Sequence, residues 1–441
     1  MRDAPSIVTP HPGPKSRAVI DRLKRAEGAP GLTFGLATDP PVLARAEGAV
    51  IEDPDGNRFL DMVAGFGSLN LGHSHPAVVQ AASRQLSLGQ QAMSMASPVR
   101  TDLIEAMSAM VPGLTQVMLG TSGSEAAETA LKLARRATGK IGVLAFSGGF
   151  HGRTMGALAL MGRSSQRAGL GALGPVTFLP YPHALRSPFG SDPKTVAETT
   201  IELIDAQLGN PAGGWDGIGA VVIEPVMGNG GMIPAPEGFL AGLREVTRRH
   251  DVLLVVDEVM SGFHRTGRRF AFQHEQGVDP DVLILGKSLS AGLPLSGVLT
   301  TEAVMASTPA GTETSTYAGN LVSCAAALAA DEAYRIGDMS SVAAARGEFL
   351  LRELVRHLAS NDRVAEIRGR GLMVGIELSD DDGSPLSVAS RISDEAVRQG
   401  LLVYPGGHHG NVVGMLPPLV STETQLATAA EILGRLLSTL P

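Results

Sequence analysis

Leu253-Leu254-Val255-Val256-Asp257-Glu258-Val259 and Val282-Leu283-Ile284-Leu285-Gly286-Lys287-Ser288-Leu289 are the two stretches on which the fold turns. Each is a short run of Leu, Val and Ile that ends abruptly in charge. The runs are too short for buried helices and do not alternate apolar with polar residues, so they read as strands covered on both faces. Similar strands are expected over residues 116–119, 141–146, 176–179, 220–224 and 295–300, with amphipathic helices such as 124–136 and 237–249 among them. Strand and helix in alternation imply an α/β fold with a mainly parallel central sheet covered by helices. Such sheets take their ligands beyond the carboxyl ends of the strands, where Asp257 and Lys287 fall.

Outside this region the pattern changes. Residues 16–27 have helical spacing, 49–62 alternate around a turn at Asp55-Gly56, and helices are expected over 76–88 and 99–110. The last third predicts helices over 318–336, 341–358, 387–399 and 422–437, with strands at 364–368, 372–378 and 412–416. The division expected is an N-terminal segment, 1–70, that joins a small α+β domain, 326–441, and a large domain over 71–325. Residues 1–15 are rich in proline and polar groups, suit an arm or strap, and lack the apolar core of a signal peptide. The formal charge is −8 with no long basic run, which argues against nucleic acid as a partner. No apolar run reaches the roughly 18 residues that span a bilayer, so no membrane partner is expected. One cysteine, Cys324, excludes an internal disulfide and suits a reducing, cytoplasmic location; it reads as a small buried hydrophobe before a nucleophile.

Three elements carry chemistry. In Leu119-Gly120-Thr121-Ser122-Gly123-Ser124-Glu125 a strand runs through small residues into a helix. Gly123 lets the backbone approach a ligand, Ser124 can cap the helix or bind an oxygen, and the free N–H groups suit a phosphate. The plain alternative is a capped turn, and the absence of a Walker lysine argues against a nucleoside triphosphate. Asp257 ends a buried strand and needs a cation or a protonated nitrogen, unless it is an ordinary strand-end acid. Lys287 ends the next strand among small residues, where burial makes an amine nucleophilic, unless it reaches solvent. A phosphate cradle, an acid and an amine in this order match the three anchors of pyridoxal 5′-phosphate.

Further motifs accompany them: Asp55-Gly56-Asn57-Arg58-Phe59-Leu60-Asp61, Asn70-Leu71-Gly72-His73-Ser74-His75-Pro76, Gly149-Phe150-His151-Gly152-Arg153-Thr154, Ile223-Glu224-Pro225-Val226, Ser315-Thr316-Tyr317-Ala318-Gly319-Asn320 and Arg368-Gly369-Arg370-Gly371-Leu372. With these, the chain from about Pro41 to its end resembles the class III (ω-type) pyridoxal-phosphate-dependent aminotransferases of fold type I. The resemblance implies that Lys287 is the Schiff-base lysine and moves the substrate proton, and that Asp257 holds the ring nitrogen. It also implies that Gly123 and Ser124 bind the phosphate and that Phe150 and Val259 cover the two ring faces. His151 and Glu224 join the cofactor site, His151 as a wall residue or a catalytic one. Thr316 reaches the phosphate of a neighbouring subunit, which implies a homodimer with shared sites. His73 and His75 read as turn or packing residues, and no metal is expected.

Three positions depart from the 4-aminobutyrate and ornithine branches of that family. Met260 stands where a Gln is frequent, Asn229 where a Glu is usual, and Gly414 where an Arg clamps the substrate α-carboxylate. Loss of both members of a charged pair strands neither. With Phe66 and Arg153, Asn229 and Gly414 complete the expected substrate-binding set; Arg153, His408 and His409 are alternative cations for a carboxylate. The function expected is amino transfer between a primary amine or amino acid donor and a carbonyl acceptor. An amino sugar aldehyde or a simple ω-amine fits a site without the clamp. The alternative is a racemase, epimerase or aminomutase on the same scaffold.

Overall fold

The strand that ends in Asp257 lies at the centre of a seven-stranded sheet. The order is Gln116–Gly120, Ser296–Thr300, Val282–Leu285, Leu253–Asp257, Ile218–Ile223, Gly142–Ser147, Val176–Pro180. The computed structural model describes residues 4–28, 32–171, 173–379 and 387–439. Ser296–Thr300 runs antiparallel to both neighbours, and the other pairings are parallel. Six of the seven strands therefore point their carboxyl ends to one edge, the arrangement expected of a mainly parallel α/β sheet.

The described residues form two compact units. One comprises Ala77–His264 and Arg268–Ala333, the other Met1–Pro76, Arg265–Gly267 and Tyr334–Pro441. The passage from the first to the second falls inside a single helix, Leu321–Ile336.

In the unit holding the seven-stranded sheet, every residue of Ile218–Ile223 and Val282–Leu285 is buried, which explains their unbroken apolar runs. Helix Gly123–Thr138 turns Ala126, Ala127, Ala130, Leu131, Leu133 and Ala134 inward, an i, i+3, i+4 stripe against the sheet. Its alanines let the helix approach closely; a fully buried Leu or Val contributes about 1.5–3 kcal/mol. Helix Phe239–Arg249 buries Phe239, Leu240, Leu243 and Val246. Helix Pro193–Leu208 is an addition to the sequence reading. Its buried face is Val196, Ala197, Thr200 and Ile204, too mixed in polarity to stand out as a stripe.

The second unit has two four-stranded sheets. One orders Arg45–Glu47, Val50–Glu52, Arg58–Asp61 and Leu401–Leu402; the other Val364–Arg370, Met373–Leu378, Val412–Met415 and Tyr404–Gly406. The hairpin read from Asp55-Gly56 closes over residues 53–57, because Asp53 Oδ1 accepts from the N–H groups of Asp55 (2.9 Å) and Asn57 (2.8 Å). Arg265 is fully buried here. Its guanidinium donates to the carbonyls of Leu372 (3.0 Å) and Pro417 and to Asn70 Oδ1, and burial lowers its pKa to about 9. Gly371, in the Arg-Gly-Arg-Gly motif, has φ +57 and leaves no room for a side chain: a Cβ would stand 2.6 Å from the Thr266 carbonyl carbon. No helix among the described residues is long and apolar enough to cross a membrane.

Candidate active site

Because the strand ends share an edge, the turns that carry Gly123, Val259 and Gly286 meet there. Gly123 opens a sixteen-residue helix whose first N–H groups have no partner within the helix. The helix cap is Ser122 and not Ser124. Ser122 has the extended conformation of a cap (φ −146, ψ 156), and its Oγ accepts from Glu125 N at 3.2 Å. Ser124, one turn position further in, accepts at Oγ from Arg153 N at 3.1 Å. That bond lays the Phe150–Arg153 loop on the helix start. Gly152 (φ +138) permits it, since a Cβ there would come within 2.3 Å of Ser124 Oγ.

Gly123 is needed for a second approach. A Cβ on it would lie 3.0 Å from Val259 Cγ1, and one on Gly286 would lie 3.5 Å from the same atom and 3.6 Å from the Gly123 backbone. The helix start, the turn after Asp257 and the turn before Lys287 thus converge through two glycines and one valine. Lys287 is half-buried and has φ +45, the left-handed region that a lysine rarely occupies. Such strain survives only where the surroundings impose it, and it clusters at functional positions.

Asp257 is 3% exposed. Its Oδ2 meets His151 Nδ1 at 2.7 Å and its Oδ1 accepts from Val259 N at 2.9 Å. Burial works against a charged His151, but the hydrogen bond and charge of Asp257, with the charge of Glu224, outweigh it and raise the imidazole pKa. Glu224 accepts from Phe150 N (2.8 Å) and Gly228 N (3.0 Å), fixing the loop that carries Phe150. Burial raises the Glu224 carboxyl; His151 opposes this and Asp257 reinforces it. A cradle that only glycine leaves open, a buried carboxylate and a strained strand-end lysine fit pyridoxal phosphate at this edge.

Glu258, the second of the two carboxylates that end the buried strand, had no role of its own in the sequence reading. It is fully buried, with Ser261 Oγ donating to Oε2 at 2.6 Å and Phe272 N to Oε1 at 2.8 Å. Burial pushes its pKa up to about 7 despite these bonds. The unfolded chain ionises this group near the ordinary glutamate value, roughly 4.3. Stability due to the raised pKa is therefore complete below that value and lost as pH rises through about 7. The loss is on the order of 3 kcal/mol at about 1.4 kcal/mol per unit. Glu258→Gln is expected to flatten this limb, raising the melting temperature at pH 8 relative to the parent more than at pH 4.5. Parallel melting curves across that range would refute the assignment.

Thr316 is exposed, and its carbonyl accepts from Gln91 Nε2 at 2.7 Å. Arg153 is exposed. Asn229 lies in the turn between strands Val226–Met227 and Ile233–Pro234, its carbonyl held by Arg163 Nη2 at 2.8 Å, and its Oδ1 is buried with no hydrogen-bond partner among the described residues. Arg163 had no signal in the sequence, because its partner is a backbone atom 66 residues away. In the other unit, Gly414 is buried in strand Val412–Met415 and Phe66 packs edge-on against Tyr404, ring centres 5.3 Å apart. There too His73 Nε2 meets Asp61 Oδ2 at 2.7 Å, a packing role for this histidine.

The family model for aminotransferase class-III matches residues 37–437. The chain is 36% identical over 420 residues to the diaminobutyrate–2-oxoglutarate aminotransferase of Rhizobium meliloti (strain 1021), covering 90% of this chain and 89% of that one. It is 33% identical to the 4-aminobutyrate aminotransferase of Mycobacterium tuberculosis (strain ATCC 25618 / H37Rv), covering 100% and 99%. Among solved structures, an (S)-enantioselective omega-transaminase from Thermomicrobium roseum superposes with a TM-score of 0.85 at 27% identity, over 95% of this chain and 94% of that chain. A PLP-bound amine transaminase from an uncultivated Pseudomonas species gives 0.84 at 32% identity, over 94% and 97%. The chain belongs to the class III aminotransferases and is a pyridoxal-phosphate-dependent transaminase.

Proposed function

We propose that this transaminase moves an amino group between a primary amine or amino acid and a carbonyl acceptor without clamping its main substrate's α-carboxylate at position 414. The observation that carries this is the row of residues across the sheet at Gly414. Gly414 pairs with Gly375 on one side and Tyr404 on the other, and Gly375 pairs with Arg368. Directly paired residues share a face. The cation in this row, Arg368, is engaged by Glu377 Oε2 at 2.6 Å, and the neighbour of Gly414 is an aromatic ring backed by Phe66. A glycine beside two rings suits an uncharged or apolar substituent. Amino sugar aldehydes and simple ω-amines are the substrate classes that match.

When bound, pyridoxal phosphate supplies a ring that spreads the electron pair left as a proton leaves the substrate carbon. Lys287 holds the cofactor and carries that proton. Asp257 presents its buried carboxylate to the ring nitrogen, and His151, 2.7 Å from Oδ2, orients it. Phe150 and Val259 confine the ring from its two faces. The N–H groups at Gly123 and Ser124 receive the phosphate. The enzyme works as a homodimer in which Thr316 completes the phosphate site of the partner subunit, and its single cysteine suits the reducing cytoplasm.

The test is a comparison of kcat/KM for amines with and without an α-carboxylate. A charge-assisted Arg–carboxylate pair is worth about 1.5–3 kcal/mol, or about 10- to 100-fold. The carboxylate is expected to improve the constant less than about tenfold. A gain of about 100-fold that Gly414→Ala abolishes would overturn the proposal.

A further inference from the structure

The loop that carries Thr316 holds a buried carboxylate among exposed neighbours. Residues 311, 312, 314, 316 and 317 are exposed, yet the side chain of Glu313 is 7% accessible. It is gripped from below by helix Gly123–Thr138. Lys132 Nζ pairs with Oε2, and Arg136 Nη1 donates to Oε1 at 2.9 Å and to Thr312 Oγ1 at 3.2 Å. Lys132 and Arg136 are four apart and so stand on one face of the helix. At the start of the same helix, Glu125 Oε2 takes Thr121 N (2.6 Å) and Thr121 Oγ1 (2.7 Å).

We infer that Glu313 is a positioning residue for the cofactor site of the partner subunit, stapling the Thr316 loop through Lys132 and Arg136 to the helix that cradles this subunit's own phosphate. The inference rests on the reading that Thr316 serves the partner. A loop of exposed residues has many conformations, and ordering its hydroxyl only on binding costs affinity. The two ion pairs, with Arg136–Thr312, fix the loop at Thr312 and Glu313 before any ligand arrives. Glu313 is 181 residues from Lys132, so the staple holds a segment that local structure leaves unsupported.

Hybrid dimers test it. In the first, one chain carries Lys287→Ala with Glu313→Ala and its partner is unaltered, so the one working site faces the loosened loop. In the second, one chain carries Lys287→Ala and the other Glu313→Ala, so the working site faces an intact loop. Cofactor affinity is read from the activity regained as pyridoxal phosphate is added to each cofactor-free hybrid. The first hybrid is expected to bind about three- to tenfold more weakly, and the second like a Lys287→Ala/unaltered control. Glu313→Gln, which keeps the shape but not the charge, is expected to follow the same pattern. Equal loss in both hybrids, loss only in the second, or no loss in either overturns the inference. Thr316→Ala in the same two formats separates the causes. If Thr316 acts across the dimer and Glu313 does not, the staple is wrong and the shared site stands. If Thr316 acts within its own chain, the shared site fails and the inference with it.

Discussion

Lys287→Ala is expected to lower kcat by about 10⁴-fold or more, the upper range for a positioned proton-transfer group, and to leave the fold intact. The alanine keeps the Cβ and the φ of +45 of the lysine, so the backbone strain is unchanged, and it sits at a turn where Gly286 and Gly123 already pack closely, so no cavity opens in the sheet. What is lost is the amine at a strand end whose turn packs against both the start of helix Gly123–Thr138 and the turn after Asp257. Borohydride reduction of the parent enzyme followed by peptide mapping should put the pyridoxyl label on Lys287. A small free amine should restore part of the lost activity in the alanine variant, since the proton carrier is then supplied from solution. A label on Lys132 or Lys140, or activity within tenfold of the parent, would remove Lys287 from its role.

Asp257→Asn has the next largest expected effect, a fall in kcat of about 10²–10³, the range for one preorganised electrostatic partner. Asn keeps the shape and the bond from Val259 N. It removes the charge that faces His151 at 2.7 Å. Burial then dominates, and the His151 pKa, raised in the parent, is expected to fall below the ordinary imidazole value. The measurement is a titration of the His151 ring by NMR beside steady-state kinetics. A kcat within tenfold of the parent, with His151 still titrating high, would show that the Asp257 charge serves neither neighbour.

Much of the large unit was legible because its strands are covered on both faces. Unbroken runs such as Val282–Leu285 and abrupt charges at Asp257 and Lys287 leave a strong imprint on a chain. Helix Pro193–Leu208 left a weak one, since Thr200 is among its buried residues. The cap was misplaced by two positions because Ser122 and Ser124 have the same chemistry, and only the extended backbone at Ser122 distinguishes them. Glu258 was passed over beside Asp257, although the two differ in partners: one meets an imidazole, the other a hydroxyl and backbone N–H groups. Pairs such as Glu313–Lys132 and Arg163–Asn229 have no periodicity to betray them, because the chain brings their members together from far apart.

The antiparallel strand Ser296–Thr300 sets the order in which this enzyme can be made. Gln116–Gly120, which leads into the phosphate cradle, lies at the sheet edge and pairs with Ser296–Thr300 from Gly120↔Ser296 to Gln116↔Thr300. A ribosome delivers the cradle strand long before it delivers this neighbour. At roughly 5–20 residues per second, the wait is on the order of ten seconds or more. During that time an apolar strand offers unpaired N–H and C=O groups to any other nascent chain. The arrival of residue 300 pairs one side of this strand and, in the same event, joins it to the strand that leads to Lys287. A truncation before Ser296 should therefore aggregate more on release than one made beyond Thr300, which keeps the strand pair that covers one side of Gln116–Gly120.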